Sequence, residues 1–262
     1  MRCSANSSGN TPKFSIITVC FNSGTLIERT LQSVVSQDYP NIEYTIIDGG
    51  STDETLSIIN KFQSKISTII SEKDNGIYDA MNKGLANSTG EFVYFLNSGD
   101  YLSQDEVISE IILKIKQYPG FEIYTGDIEY YDKNKSERIS GYREGTIDII
   151  ARVINHQSII ARKDIFQKYG GFNTRYKIYA DYDWLLRAAV KQGVKIKYTG
   201  ILFAYYLKEG KSDLLWRKYL YERMEIVKIN ATKCQLVQYA LLYPGDTIRY
   251  LINTIRGLFI RV

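Results

Sequence analysis

The amino-acid sequence predicts an α/β protein with a mostly parallel central sheet, helices on both faces of that sheet and further helices at the C-terminus. Over the first hundred residues, short runs rich in β-branched side chains alternate with stretches whose apolar residues recur at helical spacing. Such an alternation favours parallel strands joined by crossover helices. A chain of 262 residues, 44% of them hydrophobic, is long enough to bury a substantial core around one sheet.

The predicted elements follow one another in a regular order. Strands are expected at 14–19, 43–48, 66–70 and 91–96, and helices at 25–37, 51–65, 77–87 and 104–117. The second helix is expected to begin with a capping box, in which Ser51 is the N-cap and Glu54 reaches back to it. The second half is less regular, with a strand-like stretch at 121–130, an exposed loop or hairpin at 133–142, a short strand at 155–161 and a helix at 181–192.

The charge distribution divides the chain into a larger N-terminal domain and a basic tail. We expect a disordered polar segment at 1–12, one domain at 13–207 and a basic amphipathic helical tail at 208–262, with helices at 214–230 and 246–261. The tail holds ten Lys or Arg and five Asp or Glu, a net charge of +5, whereas residues 1–207 have a net charge of −1. The positive charge is therefore concentrated in the tail.

Several classes of protein are disfavoured. The total net charge of +4 gives no reason to expect nucleic acid as a partner. The sequence has no G-x-G-x-x-G after the first strand, no G-x-x-x-x-G-K-[ST] and no G-x-S-x-G, which disfavours dehydrogenase, P-loop and hydrolase sites. Three widely spaced cysteines indicate a reducing, cytoplasmic environment rather than a disulfide framework. We see neither a signal peptide nor an apolar run of the ~20 residues that a membrane span needs.

Acidic side chains follow the predicted strands, at the edge where ligands bind in open α/β sheets. Asp48 ends the second strand before two glycines, so it can bind a base or a ribose hydroxyl, or belong to a helix-capping loop. Asp100 follows the fourth strand, where it can hold Mg²⁺ or Mn²⁺ against a diphosphate, or form part of a type I turn. Asp181 and Asp183 open a helix, either as capping acids or as a general base.

Five motifs in a fixed order resemble those of the family 2 glycosyltransferases, which are inverting enzymes with the A-type glycosyltransferase fold. They are Phe14 to Asn22, Ile47 to Asp53, Gly76 to Gly84, Phe95 to Asp100 and Ala180 to Trp184, within a resemblance covering about 13–205. Gly76 to Gly84 is the most specific of the five. It is similar to a bacterial branch that assembles surface polysaccharides and lipopolysaccharides, including transferases of the colanic acid type.

The resemblance implies a role for each matching residue. Nucleotide-sugar contacts are implied for Thr18, Asn22, Asp48, Asp79, Asn82 and Ser98. Asp100 matches the acidic element that binds a divalent metal, Mn²⁺ or Mg²⁺. Asp181 matches the catalytic base, with Asp183 as the second candidate. His156, the only histidine, matches a His-Gln pair on the acceptor side, although a lone histidine at the start of a strand is more often structural.

Two departures from the family pattern keep alternatives open. Asn97 and Gly99 leave Asp100 as the only carboxylate of the metal motif, which is the support for a non-catalytic nucleotide-sugar-binding protein. Ala180 stands where many members have an acidic residue, which favours Asp181 as the base. A nucleotidyltransferase is a third interpretation, disfavoured because the phosphate loop that such enzymes need after the first strand is missing.

Partners and location follow from the same resemblance and from the tail. The donor is expected to be a nucleotide-diphosphate sugar, most commonly a UDP-sugar in this family, and the acceptor a glycan or a lipid-linked glycan. The basic tail at 214–262 either rests on the anionic inner face of the plasma membrane or packs on the catalytic domain or a second copy in a homodimer.

Overall fold

One mixed sheet forms the centre of the computed structural model, which describes residues 11–131, 136–142, 149–150, 152–207, 220–242 and 244–245. The strands are β1 Phe14–Cys20, β2 Ile42–Asp48, β3 Thr68–Ser71, β4 Phe92–Phe95, β5 Tyr101–Leu102, β6 Ile123–Tyr131, β7 Ser136–Ile139, β8 Ile159–Arg162 and β9 Ile196–Leu207. Their order across the sheet is β3-β2-β1-β4-β8-β6-β9-β5, with β7 paired to β6.

The helices surround this sheet. They are α1 Gly24–Val35, α2 Thr55–Lys61, α3 Ile77–Ala86, α4 Val107–Gln117, α5 Lys163–Tyr169, α6 Ala180–Leu186, α7 Leu220–Asn230 and α8 Lys233–Leu242. Short 3₁₀ turns lie at Gln63–Lys65 and His156–Ser158, and a π-helical segment follows α6 at Arg187–Lys191. This arrangement confirms the predicted α/β class.

The parallel part of the sheet aligns the strand ends that were expected to carry chemistry. Strands β1, β2, β3 and β4 are parallel, and the register pairs Cys20 with Asp48 and Asp48 with Ser71. Strand β8 is antiparallel to both β4 and β6, which makes the second half mixed. The segments after β1, β2, β3 and β4 therefore meet at one edge of the sheet.

Both faces of β1 are buried, as expected for a strand in the middle of a parallel sheet. Ile16 and Cys20 belong to the apolar layer that includes Ile27 of α1, whereas Ile17 and Val19 belong to the opposite layer with Met81 of α3. This alternation explains why the run from Phe14 to Cys20 is apolar throughout.

The structure corrects several local predictions. Helix α2 begins at Thr55, because Ser51 donates its hydroxyl to Asp48 while Asp53 accepts a hydrogen bond from the Thr55 amide, so the predicted capping box is wrong. The strand predicted at 155–161 begins only at Ile159, after a 3₁₀ turn. Helix α5 and strand β9 were not predicted. The segment 1–10 and the helix at 246–261 lie outside the described residues.

The part of the predicted tail helix that is described packs on the apolar core beside α6. Ile226 and Val227 of α7 are fully buried within the same apolar cluster as Trp184 of α6. In the described part of the chain, no helix has the length and apolar character needed to cross a bilayer.

Candidate active site

The loops after β1 and β2 are fastened to each other. Asn22, which has a positive φ of 48°, accepts a hydrogen bond from the Thr52 amide at 2.9 Å through its side chain. The backbone N–H of Asn22 donates to the Ser51 hydroxyl at 2.8 Å. Asn22 therefore lies at the predicted edge, where the contacts shown hold the two loops together.

Asp48 shapes the loop that follows it. Its buried carboxylate accepts hydrogen bonds from the amides of Gly50 and Ser51 at 3.2 and 3.0 Å, and from the hydroxyls of Ser51 and Ser71. Thr18 is also fully buried, and its hydroxyl donates to the Leu96 carbonyl at 2.7 Å. Thr18 is therefore buried within β1, and Asp48 is buried at the carboxyl end of β2.

An exposed aromatic ring at this edge was missed by the sequence analysis. Phe21 follows the fully buried strand β1 with 54% of its surface exposed. It lies against Gly49, where an added Cβ would be 3.4 Å from Phe21 Cδ2 and 2.5 Å from Asp74 Oδ2. Gly49 therefore lets the Asp74 carboxylate and the Phe21 ring lie close to its backbone. An exposed ring beside a carboxylate is a combination suited to a nucleotide base.

The motif from Gly76 to Gly84 supplies helix α3 and two of the predicted contacts. Asp79 accepts a hydrogen bond from the Asn75 amide at 2.9 Å and lies 3.7 Å from Lys83 Nζ. Asn82 forms two hydrogen bonds with the backbone of Phe172, at 2.8 and 2.9 Å. Asp79 lies partly exposed at the start of α3, whereas the amide of Asn82 joins α3 to the segment before α6.

The turn after β4 presents oxygen atoms around one carboxylate. Asp100 is buried and accepts a hydrogen bond from Gln157 Nε2 at 2.8 Å. Asn97 Oδ1, Ser98 Oγ and Gln157 Oε1 are buried and have no hydrogen-bond partner among the residues described. Within the same residues, no group of three or more His, Cys, Asp or Glu side chains could hold a metal ion.

This set of atoms nevertheless fits a divalent cation shared with a ligand. Mg²⁺ and similar hard cations take oxygen ligands, and often one or two carboxylates complete their coordination with phosphate oxygens and water. Asp100 and the unsatisfied oxygens of Asn97 and Ser98 belong to one short turn, and Gln157 is hydrogen-bonded to it. The oxygens of this turn are therefore of the type that a cation shared with a diphosphate takes.

A chain of hydrogen bonds joins this turn to Asp181. Asn97 Nδ2 lies 2.8 Å from His156 Nε2, and His156 Nδ1 lies 3.2 Å from Asp181 Oδ2. Since an ionised carboxylate can only accept, a neutral His156 must donate from Nδ1 and accept the Asn97 amide at Nε2. The three side chains therefore fix one tautomer of His156 and one orientation of Asp181.

The other oxygen of Asp181 is held from two directions. Asp181 Oδ1 accepts hydrogen bonds from the Tyr78 hydroxyl at 3.1 Å and from the Tyr182 amide at 2.8 Å. Burial raises the pKa of Tyr78 well above its usual value, and the negative charge of Asp181 raises it further. Tyr78 therefore stays protonated and remains a hydrogen-bond donor at neutral pH.

Asp183 does not share this site. Two residues along an α-helix are rotated by about 200°, so the side chains of Asp181 and Asp183 leave α6 on opposite sides. Asp183 pairs with Arg187 at 2.9 Å and lies 3.4 Å from Asn230 Nδ2 of α7. The structure brings Asn97, His156 and Asp181 together and places Asp183 in the contact with α7.

Comparisons with known proteins agree with this architecture. The model of "Glycosyl transferase family 2" matches residues 15–182. A PGL/p-HBAD biosynthesis glycosyltransferase of Mycobacterium bovis is 31% identical over 202 residues, which cover 76% of this chain and 78% of the relative.

Solved structures show the same fold at lower identity. S. aureus TarS matches with a TM-score of 0.71 and 21% identity over 89% of this chain and 44% of TarS. The mannosyltransferase PcManGT of Pyrobaculum calidifontis matches with a TM-score of 0.71 and 16% identity over 92% of this chain and 73% of PcManGT. For the fragment TarS 1-349, this chain covers 65% of its length. The chain belongs to glycosyl transferase family 2 and is a glycosyltransferase with the A-type fold.

Proposed function

We propose that this enzyme transfers a sugar from a nucleotide-diphosphate donor, a UDP-sugar, to an acceptor hydroxyl with inversion at the anomeric carbon. The observation that carries the proposal is the hydrogen-bonded chain from Asn97 through His156 to Asp181. It links the turn suited to a diphosphate with a carboxylate suited to an incoming hydroxyl. The resemblance in sequence supports the same assignment of Asp181.

Asp181 acts as the general base in this mechanism. Its Oδ2 accepts one hydrogen bond, from His156, among the described residues, so a lone pair of that oxygen is available for the proton of the acceptor hydroxyl. His156 and Tyr78 hold the carboxylate in one orientation. General-base assistance of this kind contributes about 10²–10⁴-fold to a rate. The acceptor oxygen forms the new bond to the anomeric carbon as the bond to the diphosphate breaks.

The donor binds at the edge formed by the loops after β1, β2 and β4. Phe21 offers its exposed ring to the base, and the loop around Asp48 lies next to it. TarS has been crystallised with UDP and with UDP-GlcNAc, and PcManGT with GDP-Man and Mn²⁺, which supports a nucleotide sugar as the ligand of this edge. We favour a UDP-sugar, and GDP-mannose is the competing outcome.

Asp100 would hold a divalent metal, with oxygens of Asn97, Ser98 and Gln157 nearby. A bound Mn²⁺ or Mg²⁺ would supply Lewis-acid neutralisation of the charge on the departing nucleotide diphosphate. With a single carboxylate in the turn, we expect metal affinity to depend on the diphosphate of the donor.

The acceptor is proposed to be a glycan or a lipid-linked glycan of bacterial cell-surface polysaccharide or lipopolysaccharide. In this proposal, His156 lies on the side of Asp181 where the acceptor binds. The M. bovis relative is named for PGL/p-HBAD biosynthesis, which supports a surface glycoconjugate. Helix α8 exposes Val237, Leu241 and Leu242, with 60%, 76% and 60% of their surfaces accessible. These side chains support peripheral contact with the membrane in which a lipid-linked acceptor would lie.

A thermal-shift screen of nucleotide sugars, with and without Mn²⁺, tests the donor and the metal together. Binding to the folded state raises the unfolding temperature by mass action, so the correct donor should stabilise the protein more strongly than its free sugar. Asp100→Ala should abolish the Mn²⁺-dependent part of the stabilisation. Absence of any stabilisation by UDP-sugars would contradict the donor assignment, and stabilisation by GDP-mannose alone would replace it.

Product analysis separates the proposal from its alternatives. NMR of the product should show inverted anomeric configuration together with release of the nucleotide diphosphate. Donor binding without turnover with any acceptor tested would support a non-catalytic nucleotide-sugar-binding protein. Release of pyrophosphate would indicate a nucleotidyltransferase. Asn97, which departs from the family pattern, forms a hydrogen bond with His156 in the proposed site. This contact argues against the interpretation that the protein has lost catalytic activity.

A further inference from the structure

A buried carboxylate of helix α7 lies close to the element that carries Asp181. Glu222 is 1% exposed, and its two oxygens accept hydrogen bonds from the Lys177 amide at 2.9 and 3.0 Å. The amide of Ile178 donates to Glu222 Oε2 at 3.1 Å. Burying a carboxylate costs free energy, and hydrogen bonds from backbone N–H groups offset that cost.

The two amides belong to the segment that leads into α6. The carbonyl of Ile178 accepts a hydrogen bond from the Tyr78 hydroxyl at 2.6 Å. The same hydroxyl lies 3.1 Å from Asp181 Oδ1, so its single proton is shared between the carbonyl and the carboxylate. Glu222 is therefore joined to Asp181 through the backbone of Ile178 and the side chain of Tyr78.

We propose that Glu222 is a positioning residue for the proton transfer to Asp181. The proposal rests on the proposed function, because it takes Asp181 as the base. It assigns α7, which lies beyond the part of the chain matched by the family model, a role in the reaction. A displacement of about 1 Å at a reacting group can cost about 10²-fold in rate, so a support three hydrogen bonds away can affect turnover.

Simple packing is the competing explanation of this contact. If α7 only stabilised the fold, an apolar or neutral side chain of similar size would serve, since burying a charge gives no general advantage in stability. A positioning role and a packing role differ in what they predict for turnover in the folded protein. That difference is measurable in variants of Glu222 that keep its size or its charge.

The kinetic test compares Glu222→Gln and Glu222→Asp with Glu225→Gln in the full-length chain. Glu225 lies on the same helix and pairs with Arg175 at the surface, where ion pairs contribute little. Glu222→Gln should lower kcat about tenfold or more while the Kd of the donor stays within about twofold of wild type. Glu222→Asp, which keeps the charge, should recover part of kcat, and Glu225→Gln should match wild type.

Two outcomes would overturn the proposal. One is wild-type kcat for Glu222→Gln at a temperature where it is folded, and the other is an equal loss of kcat and donor affinity, which indicates general damage to the site. An inactive wild-type enzyme would instead count against the proposed function.

Hydrogen exchange provides an arm that does not depend on activity. The peptide covering 173–183 should exchange faster in Glu222→Gln than in wild type or Glu225→Gln. Unchanged exchange in that peptide would show that Glu222 does not hold the segment, and would contradict the proposal whatever the activity of the enzyme.

Discussion

At the scale of single residues, hydrogen bonds to other segments of the chain hold Asn22, Asp48 and Asp100 at the ends of their strands. Asp48 and Asn82 stand where predicted, yet the contacts shown for their polar atoms are to the protein itself. Polar residue types at strand ends indicate a site, whereas their hydrogen-bond partners come from other segments. The side chains of Asp181 and Asp183 point in different directions because they are two residues apart on a helix, and this could be predicted from their spacing in the sequence.

Phe21 could be recognised as a candidate ligand contact only from its exposure in the structure, because an aromatic residue after an apolar strand is expected to belong to the core. Replacing Phe21 by Ala should weaken donor binding by about 1–3 kcal/mol, the range measured for base–aromatic stacking, with little change in kcat. Phe21→Tyr keeps the ring and should bind as wild type does. Calorimetric titration with the donor nucleotide measures both, and equal affinity for Phe21→Ala would remove the ring from the base site.

Glu43 is expected to make the stability depend on pH in the acidic range. Burial acts to raise its pKa, but hydrogen bonds from Lys13, Ser15 and Thr89 outweigh burial and lower the pKa from 4.5 to about 2. A depressed pKa in the folded state stabilises the protein above the unfolded pKa, and this contribution is lost as the pH falls from about 4.5 towards 2.

Glu43→Gln should therefore lower the free energy of unfolding by about 2–3 kcal/mol at pH 7. The difference from wild type should shrink below pH 4.5. Urea titrations at pH 7, 5 and 3.5 follow this difference. A difference that is constant across the three values would contradict the assigned network.

At the scale of elements, the alternation of β-branched runs with helical periodicity sufficed for β1 to β4 and the helices between them. It failed where tertiary contacts decide the structure. The hydroxyl of Ser51 bonds to the Asp48 carboxylate instead of capping α2, because a buried charged acceptor competes well for it. Strand β9 has polar and glycine positions and pairs with distant β6, so its local sequence gave no clear strand signal.

Gly84 allows the close approach of α3 to β1, and so positions the helix that carries Tyr78. An added Cβ would lie 2.3 Å from Ile17 Cγ2 and 3.3 Å from Ile47 Cγ1. Gly84→Ala should destabilise the protein by about 1–3 kcal/mol through overpacking, even though alanine favours helices. Gly120→Ala, where no atom lies within 4 Å of the added Cβ, is the matched control. Equal denaturation midpoints for the two variants would contradict this packing.

At the scale of the whole molecule, the C-terminal region carries most of the excess positive charge, and its described helix α7 packs against α6. Helix α7 contacts the element before α6 through Glu222 and α6 itself through Asn230. These contacts join residues more than 40 positions apart, so local sequence patterns could not reveal them. Among the residues that the structure describes, the exposed apolar side chains of α8 have no such contact.

Membrane contact through α8 can be tested in the full-length chain. Leu241→Glu should reduce co-sedimentation with vesicles containing anionic phospholipid, because a charge placed in the interface opposes the burial of apolar side chains. Leu113→Glu changes another exposed leucine, 66% accessible on α4, and should sediment like wild type. Equal sedimentation of all three proteins would exclude α8 as the contact.

The central claim is that separate segments converge on Asp181 as the base of sugar transfer, and a paired substitution tests it most directly. Asp181→Asn should lower kcat by about 10²–10⁴-fold with donor binding preserved. Asp183→Asn should lose stability through its pair with Arg187 but retain kcat near wild type, measured well below its unfolding temperature. Wild-type turnover by Asp181→Asn, or an equal loss of kcat in both variants, would contradict the account.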